Sequence, residues 1–223
     1  MLVNKKPYHH SIRESIVENR PNFITEIETA LKWDDLVVSK STQNKIKEIE
    51  EWLKQEKNIE GNSKSEHLAL FQGTSGTGKT LTATLLGKYT HYPVFRVNLS
   101  KILSNYIGET EKNLSKVFEL ASQNNGILFF DEADALFGKR TEIKNSHDRF
   151  ANQEVSYILE NLREHKGLVI ISSNLRKDID PQLKKYFKTI IRFRKPTLKR
   201  TFKTQSKLAI KKQKINFNNG RST

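Results

Sequence analysis

Apolar residues along this 223-residue chain fall into two kinds of run, and the runs alternate. The first kind has little or no polar interruption: His67-Leu68-Ala69-Leu70-Phe71-Gln72, Pro93–Val97, Ile127-Leu128-Phe129-Phe130, Gly167–Ser173 and Thr189–Phe193. Such runs suit strands covered on both faces, as in a parallel sheet. The second kind repeats at helical spacing. Thr42–Lys57 carries Ile46, Ile49, Trp52 and Leu53, with Ser41 or Thr42 expected as its cap. Leu81–Lys88 and Asp148–Glu164 read as further helices, the latter with Phe150, Val155, Ile158, Leu159 and Leu162 on one side. Strands alternating with helices predict a parallel sheet with crossover helices, here of five strands.

The ends of the chain follow no such rhythm. Residues 1–30 are polar with scattered apolar positions (Ile12, Ile16, Phe23, Ile24, Ile27), and a helical piece is expected around Ser11–Asn19, stopped by Pro21. Trp33-Asp34-Asp35-Leu36-Val37-Val38 reads as a docking segment, and Asn58–Ser65 as a polar loop. Beyond Pro196 only Leu198, Phe202, Leu208 and Ile210 hint at a helix. The chain is expected to divide into an extension (1–30), a core (31–195) and a tail (196–223).

The chemistry concentrates where strands end. Gly73-Thr74-Ser75-Gly76-Thr77-Gly78-Lys79-Thr80 fits G-x-x-x-x-G-K-[ST], between the first predicted strand and a helix beginning at Leu81. Glycines let backbone N–H groups turn inward around phosphates, and the helix start adds partial positive charge. In that reading Lys79 reaches the outer phosphates of ATP and Thr80 offers its hydroxyl to Mg²⁺, while a plain glycine-rich turn is the bland alternative. Asp131-Glu132 ends the third apolar run, where open α/β sheets place ligands. Asp131 would hold Mg²⁺ and Glu132 would orient and deprotonate water, because phosphoryl transfer depends on positioning and charge neutralisation. Asn174, just past the fourth run, would reach the terminal phosphate or the water; an ordinary turn asparagine is the alternative.

Composition narrows the class. The chain has no cysteine, which rules out a disulfide framework and thiolate metal sites. The N-terminus Met1–Lys6 lacks an apolar signal segment and no run reaches membrane-spanning length, so a cytoplasmic protein without a membrane span is expected. All 25 acidic residues lie at or before Asp180. The last 43 residues hold 14 Lys and Arg, so they carry the whole formal charge of +14. A basic block of this kind offers a surface to nucleic acid or an acidic partner, or is a solvated tail. His9-His10, His147-Asp148, Gly138-Lys139-Arg140 and Arg149 read as surface or helix-start residues.

Taken in order, these motifs resemble those of AAA+ ATPases, of the AAA branch that includes FtsH-like and katanin-like motors. The resemblance runs from about Trp33 to Phe193. It implies an α/β phosphate-loop NTPase core, a three-layer sandwich around a parallel sheet. It also implies ATP hydrolysis by an oligomer, a hexamer by family analogy, that remodels a protein substrate. By the same resemblance Gly73–Leu81 would hold the nucleotide, Val37 and Val38 would lie near adenine, and Tyr106-Ile107-Gly108 would form a substrate-gripping pore loop. The family carries two arginines where this chain has Lys185 and Tyr186, and a helical lid where only 27 residues, rich in Lys and Arg and free of acids, follow Pro196. Weak turnover is therefore expected, and a second reading stays open: a catalytically weak nucleotide-binding module whose basic tail binds nucleic acid or an acidic partner. Asp131-Glu132-Ala133-Asp134 also spells a helicase signature, but too little chain remains for the second helicase domain.

Overall fold

A computed structural model describes residues 12–15, 21–57, 65–102, 108–137, 146–175 and 179–195. Strands β1 (Ile12–Ser15) and β2 (Ile24–Thr29) precede helix α1 (Lys40–Glu56). Next come β3 (Glu66–Gln72), α2 (Lys79–Thr90), β4 (Val94–Asn98), the short α3 (Leu99–Ile102) and α4 (Glu109–Asn124). The chain continues through β5 (Ile127–Asp131), a 3₁₀ turn (Ala133–Phe137), α5 (Ser146–Glu164), β6 (Gly167–Ser173), α6 (Pro181–Lys184) and β7 (Thr189–Arg192).

The strands form one seven-stranded sheet in the order β1-β2-β4-β5-β6-β3-β7. Its five parallel strands, β4 to β7 with β3, are the five expected from the apolar runs. Two more were not expected. β2 lies antiparallel on β4, and β1 antiparallel on β2. Ile12–Ser15 is thus strand where a helical piece was expected. The misreading has a local cause: Ile12 and Ile16 are four apart, a helical interval, yet Ile12 begins the edge strand β1. Edge pairing is a tertiary preference that spacing does not encode.

Side chains alternate across the parallel strands into two cores. On one face Leu68, Leu70, Phe95, Val97, Leu128, Phe130, Val169 and Ile171 meet α4 and α5 through Leu114, Val117, Ile158 and Leu162. On the other, Ala69, Phe71, Phe129, Ile170 and Ile191 meet α1 and α2 through Ile46, Ile49, Leu53, Leu81 and Leu85. Helices on both faces of a twisted sheet make three layers. Helix α1 begins earlier than expected, at Lys40, because Ser39 is its cap: the Thr42 N–H donates to Ser39 Oγ at 3.1 Å. Thr42 instead lies buried inside the helix. Helix α5 starts at Ser146, which puts Asp148 in its first turn.

Candidate functional site

Parallel register decides which loops meet. β3 and β6 pair residue for residue up to Gln72 opposite Ser173, so Gly73 and Asn174 emerge side by side. β5 pairs β6 through Phe130 opposite Ile171, which brings Asp131 and Glu132 to the same edge. The Gly73 N–H donates to the Ser173 carbonyl at 3.0 Å, and the Phe193 N–H donates to the Gln72 carbonyl at 2.7 Å. The start of the glycine loop is therefore clamped between the ends of β6 and β7. A methyl on Gly73 would sit 2.3 Å from the Phe193 carbonyl oxygen, so only hydrogen fits there.

The loop then curls into α2. Gly78 takes φ 99°, a left-handed conformation, at the helix N-cap. A Cβ there would also lie 2.7 Å from Leu36 Cδ1. The docking segment ahead of α1 thus packs its Leu36 onto the loop, with Val37 and Val38 half-buried beside it. Thr77 is buried and its hydroxyl donates to the Thr74 carbonyl at 2.8 Å, bracing the turn. Ser75 is exposed, Gly76 takes φ 79°, and Thr80 is half-buried in the first turn of α2. The Leu81 side chain belongs to the core, so Leu81 can serve a ligand only through its backbone.

Lys79 is buried, and its Nζ is enclosed by acceptors. Nζ donates to the Gly73 carbonyl at 2.5 Å, the Thr74 carbonyl at 3.2 Å and Asn174 Oδ1 at 2.9 Å. The last bond joins two residues that the sequence separates by 95 positions. On the other side, Glu132 adopts φ 53° and its N–H donates to Asp131 Oδ1 at 3.0 Å. A non-glycine residue in that region costs about 1–3 kcal/mol and marks a turn under functional constraint. It leaves the Glu132 side chain exposed and Asp131 half-buried at the mouth. An open cleft of about 450 Å³ adjoins the loop, lined by Gln72, Gly73, Thr74, Arg192, Arg194 and Lys195 among others.

Four contributors escaped sequence reasoning. Asp134 stood only as a letter in a rejected helicase signature; its Oδ1 accepts from Ser173 Oγ and from the Asn174 N–H, both at 2.8 Å. Arg192 and Arg194 belong to no motif in the sequence, and β7 brings them with Lys195 to the cleft. Leu36 gave no signal beyond being apolar. Of the expected site residues, Tyr106 and Ile107 lie outside the described residues, while Gly108 is the left-handed N-cap of α4 at φ 80°. Lys185 is exposed and its Nζ lies 5.1 Å over the Tyr186 ring, which packs against the core. His9, His10, Gly138–Arg140 and the tail 196–223 also lie outside the described residues. Among the described residues no helix is long and apolar enough to cross a membrane, and no three His, Asp or Glu side chains group as a metal site.

A three-layer α/β/α sandwich with a glycine loop, a buried lysine and an acidic strand end at one sheet edge defines a nucleotide-loop architecture. Known proteins share it. The model of the ATPase family associated with various cellular activities (AAA) matches residues 69–195, and the chain belongs to this family. It is 30% identical over 182 residues to a Sinorhizobium fredii protein described as "Uncharacterized AAA family ATPase y4kL", covering 80% of this chain and 54% of that one. It is 29% identical over 192 residues to the "Cell division cycle protein 48 homolog" of Archaeoglobus fulgidus, covering 82% of this chain and 26% of that one. The chain therefore spans about half, or less, of the length of these relatives. In fold it is similar to the crystal structure of the FIGL-1 AAA domain, with TM-score 0.60 at 20% identity, covering 82% of this chain and 61% of that one. The same domain in complex with ADP gives TM-score 0.56 at 20% identity, covering 77% and 58%. The resemblance read from the motifs is thereby established at the level of family and fold, with nucleotide binding and ATPase function as the family's property.

Proposed function

We propose that this chain binds Mg-ATP in the loop Gly73–Thr80 and hydrolyses it to ADP and phosphate. The observation that carries the reading is the Lys79–Asn174 contact at 2.9 Å, formed where β3, β5 and β6 end together. Loop geometry suits a phosphate: the left-handed Gly76 and Gly78 curl the backbone into the start of α2, whose N–H groups supply donors. Lys79 exchanges carbonyl acceptors for phosphate oxygens. Thr80 and Asp131 are the residues suited to hold Mg²⁺, which when bound neutralises charge on the phosphate oxygens. Glu132, exposed at the mouth, orients the attacking water and takes its proton. Asn174 fixes the position of the terminal phosphate or of that water. Arg192, Arg194 and Lys195 add positive potential along the cleft beside Gly73 and Thr74, which favours a polyphosphate there.

By family analogy Val37 and Val38, half-buried ahead of α1, would meet the base. Assembly into an oligomer and remodelling of a protein substrate through Tyr106, Ile107 and Gly108 belong to the same proposal, as does slow turnover. Lysine and tyrosine at 185 and 186 lack the planar fork of an arginine finger, worth about 10³–10⁵ in rate in other phosphoryl-transfer enzymes.

Titration with Mg-ATP tests the reading directly. Lys79→Ala should weaken binding at least tenfold, because it removes the cation from the loop. Glu132→Gln should keep binding and lower turnover by about 10²–10⁴-fold. Folded wild-type protein that binds no nucleotide would end the proposal.

A further inference from the structure

β6 ends in a position that its neighbours cannot satisfy. Pairing with β5 stops at Phe130 opposite Ile171, and pairing with β3 stops at Gln72 opposite Ser173. The N–H of Asn174 lies beyond both ladders, and a backbone donor in a partly buried place needs an acceptor. Asp134 supplies it. The chain reverses at Glu132 and enters the 3₁₀ turn Ala133–Phe137, which returns the Asp134 carboxylate toward the end of β6. Oδ1 accepts from the Asn174 N–H at 2.8 Å and from the Ser173 hydroxyl at 2.8 Å. Ser173 is fully buried, and its Oγ in turn accepts from the Leu175 N–H at 3.2 Å. Three consecutive residues, 173 to 175, are thus tied to one carboxylate or to the hydroxyl it holds. Asn174 can then extend only its side chain, and Oδ1 accepts from Lys79 Nζ at 2.9 Å.

We propose that Asp134 is a positioning residue of the hydrolytic site: it fixes the backbone of Asn174 so that the amide faces Lys79, coupling the Asp131–Glu132 turn to the glycine loop. This inference rests on the proposed role of Asn174. Asp134 Oδ1 accepts from protein groups, Ser173 Oγ and the Asn174 N–H, so it acts through Asn174. A charge-assisted bond from carboxylate to backbone N–H is short and about twice as strong as a neutral one, which suits a residue whose task is rigidity. A misplacement of about 1 Å at a reacting centre can cost about 10²-fold in rate.

A double-mutant cycle tests it on the full chain. Asp134→Ala should lower kcat by about 10- to 100-fold while KM for Mg-ATP stays within about threefold. In an Asn174→Ala background the same change should cost less than about twofold more, because its effect passes through Asn174. Asp134→Asn should recover most of the loss, since its amide oxygen still accepts both hydrogen bonds. If Asp134→Ala does not fold, Asp134→Asn and Ser173→Ala run the same cycle, each with a smaller loss that must vanish without Asn174. If steady-state turnover is too slow to follow, the single-turnover hydrolysis rate replaces kcat. Equal losses in both backgrounds, or an Asp134→Asn no better than Asp134→Ala at the same melting temperature, would overturn the inference alone. Wild-type protein that binds no nucleotide overturns the site reading, and this inference with it.

Discussion

The two edges of the same parallel sheet hold buried polar groups in opposite ways. At the edge where strands β3, β5 and β6 end, Lys79 is buried with its Nζ donating to three oxygen acceptors. At the edge where they begin, two buried histidines are held neutral. His67 packs 4.7 Å from the Trp52 ring and shares a 2.9 Å hydrogen bond with Thr189 Oγ1. Burial, with Lys188 nearby, lowers its pKa to about 4. His165 stacks 5.1 Å from Phe118, and burial alone lowers its pKa to about 4. The direction of the chain at each edge makes the difference. Loops leaving parallel strands lead into helix N-termini and carry inward-facing backbone donors. Loops entering strands arrive from helix C-termini and are closed by packing. One edge presents donors to an anion; the other holds two histidines neutral by burial.

The sharpest way to break this contrast is Gly78→Ala. It places a methyl against Leu36 and forces a left-handed conformation on alanine. Stability should fall by about 1–3 kcal/mol and nucleotide affinity by tenfold or more. Adding Leu36→Val should recover part of the loss, since it relieves the contact but leaves the backbone strain; chemical denaturation and nucleotide titration read both effects.

An intermediate effect belongs to the opposite edge. With folded pKa values near 4 and an ordinary value of 6.5, His67 and His165 bind fewer protons folded than unfolded. Their contribution is therefore complete above pH 6.5 and is lost as pH falls toward 4. Melting temperature should drop by roughly 5 °C or more across that window. His165→Gln should flatten the slope while leaving nucleotide affinity at neutral pH unchanged. A slope unaltered by the substitution would show that this histidine is not held neutral.

The smallest effect should come from Lys166→Ala, which removes the exposed ion pair with Glu66 at that same edge. Lys166 holds the Glu66 carboxyl below its usual range, but exposed pairs contribute about 0–1 kcal/mol. Melting should barely move, and nucleotide affinity should stay the same.

How much of this was legible in the sequence depended on whether a signal was local. The five parallel strands announced themselves as unbroken apolar runs because both faces are covered. The glycine loop was legible because its spacing is fixed by what glycine alone can do. β1 and β2 were missed because an edge hairpin needs only half a buried face, and Ile12 and Ile16 mimic a helical interval. The cap of α1 moved to Ser39 because capping depends on the extended backbone of that residue, which composition does not reveal. Asp134 was unreadable for a deeper reason. Its partners, Ser173 and Asn174, lie 39 and 40 residues away and meet it only through strand register.

By itself, the order of residues determined the kind of chemistry available: a loop that admits phosphate, a lysine, two acids and an amide, each at the end of an apolar run. Periodicity and glycine placement are short-range properties, so they survive in a linear reading. Only the tertiary structure decided which of these groups share an edge, which cations join them and which carboxylate steadies the amide. Those are matters of register and strand order, set by burial of side chains far apart along the chain.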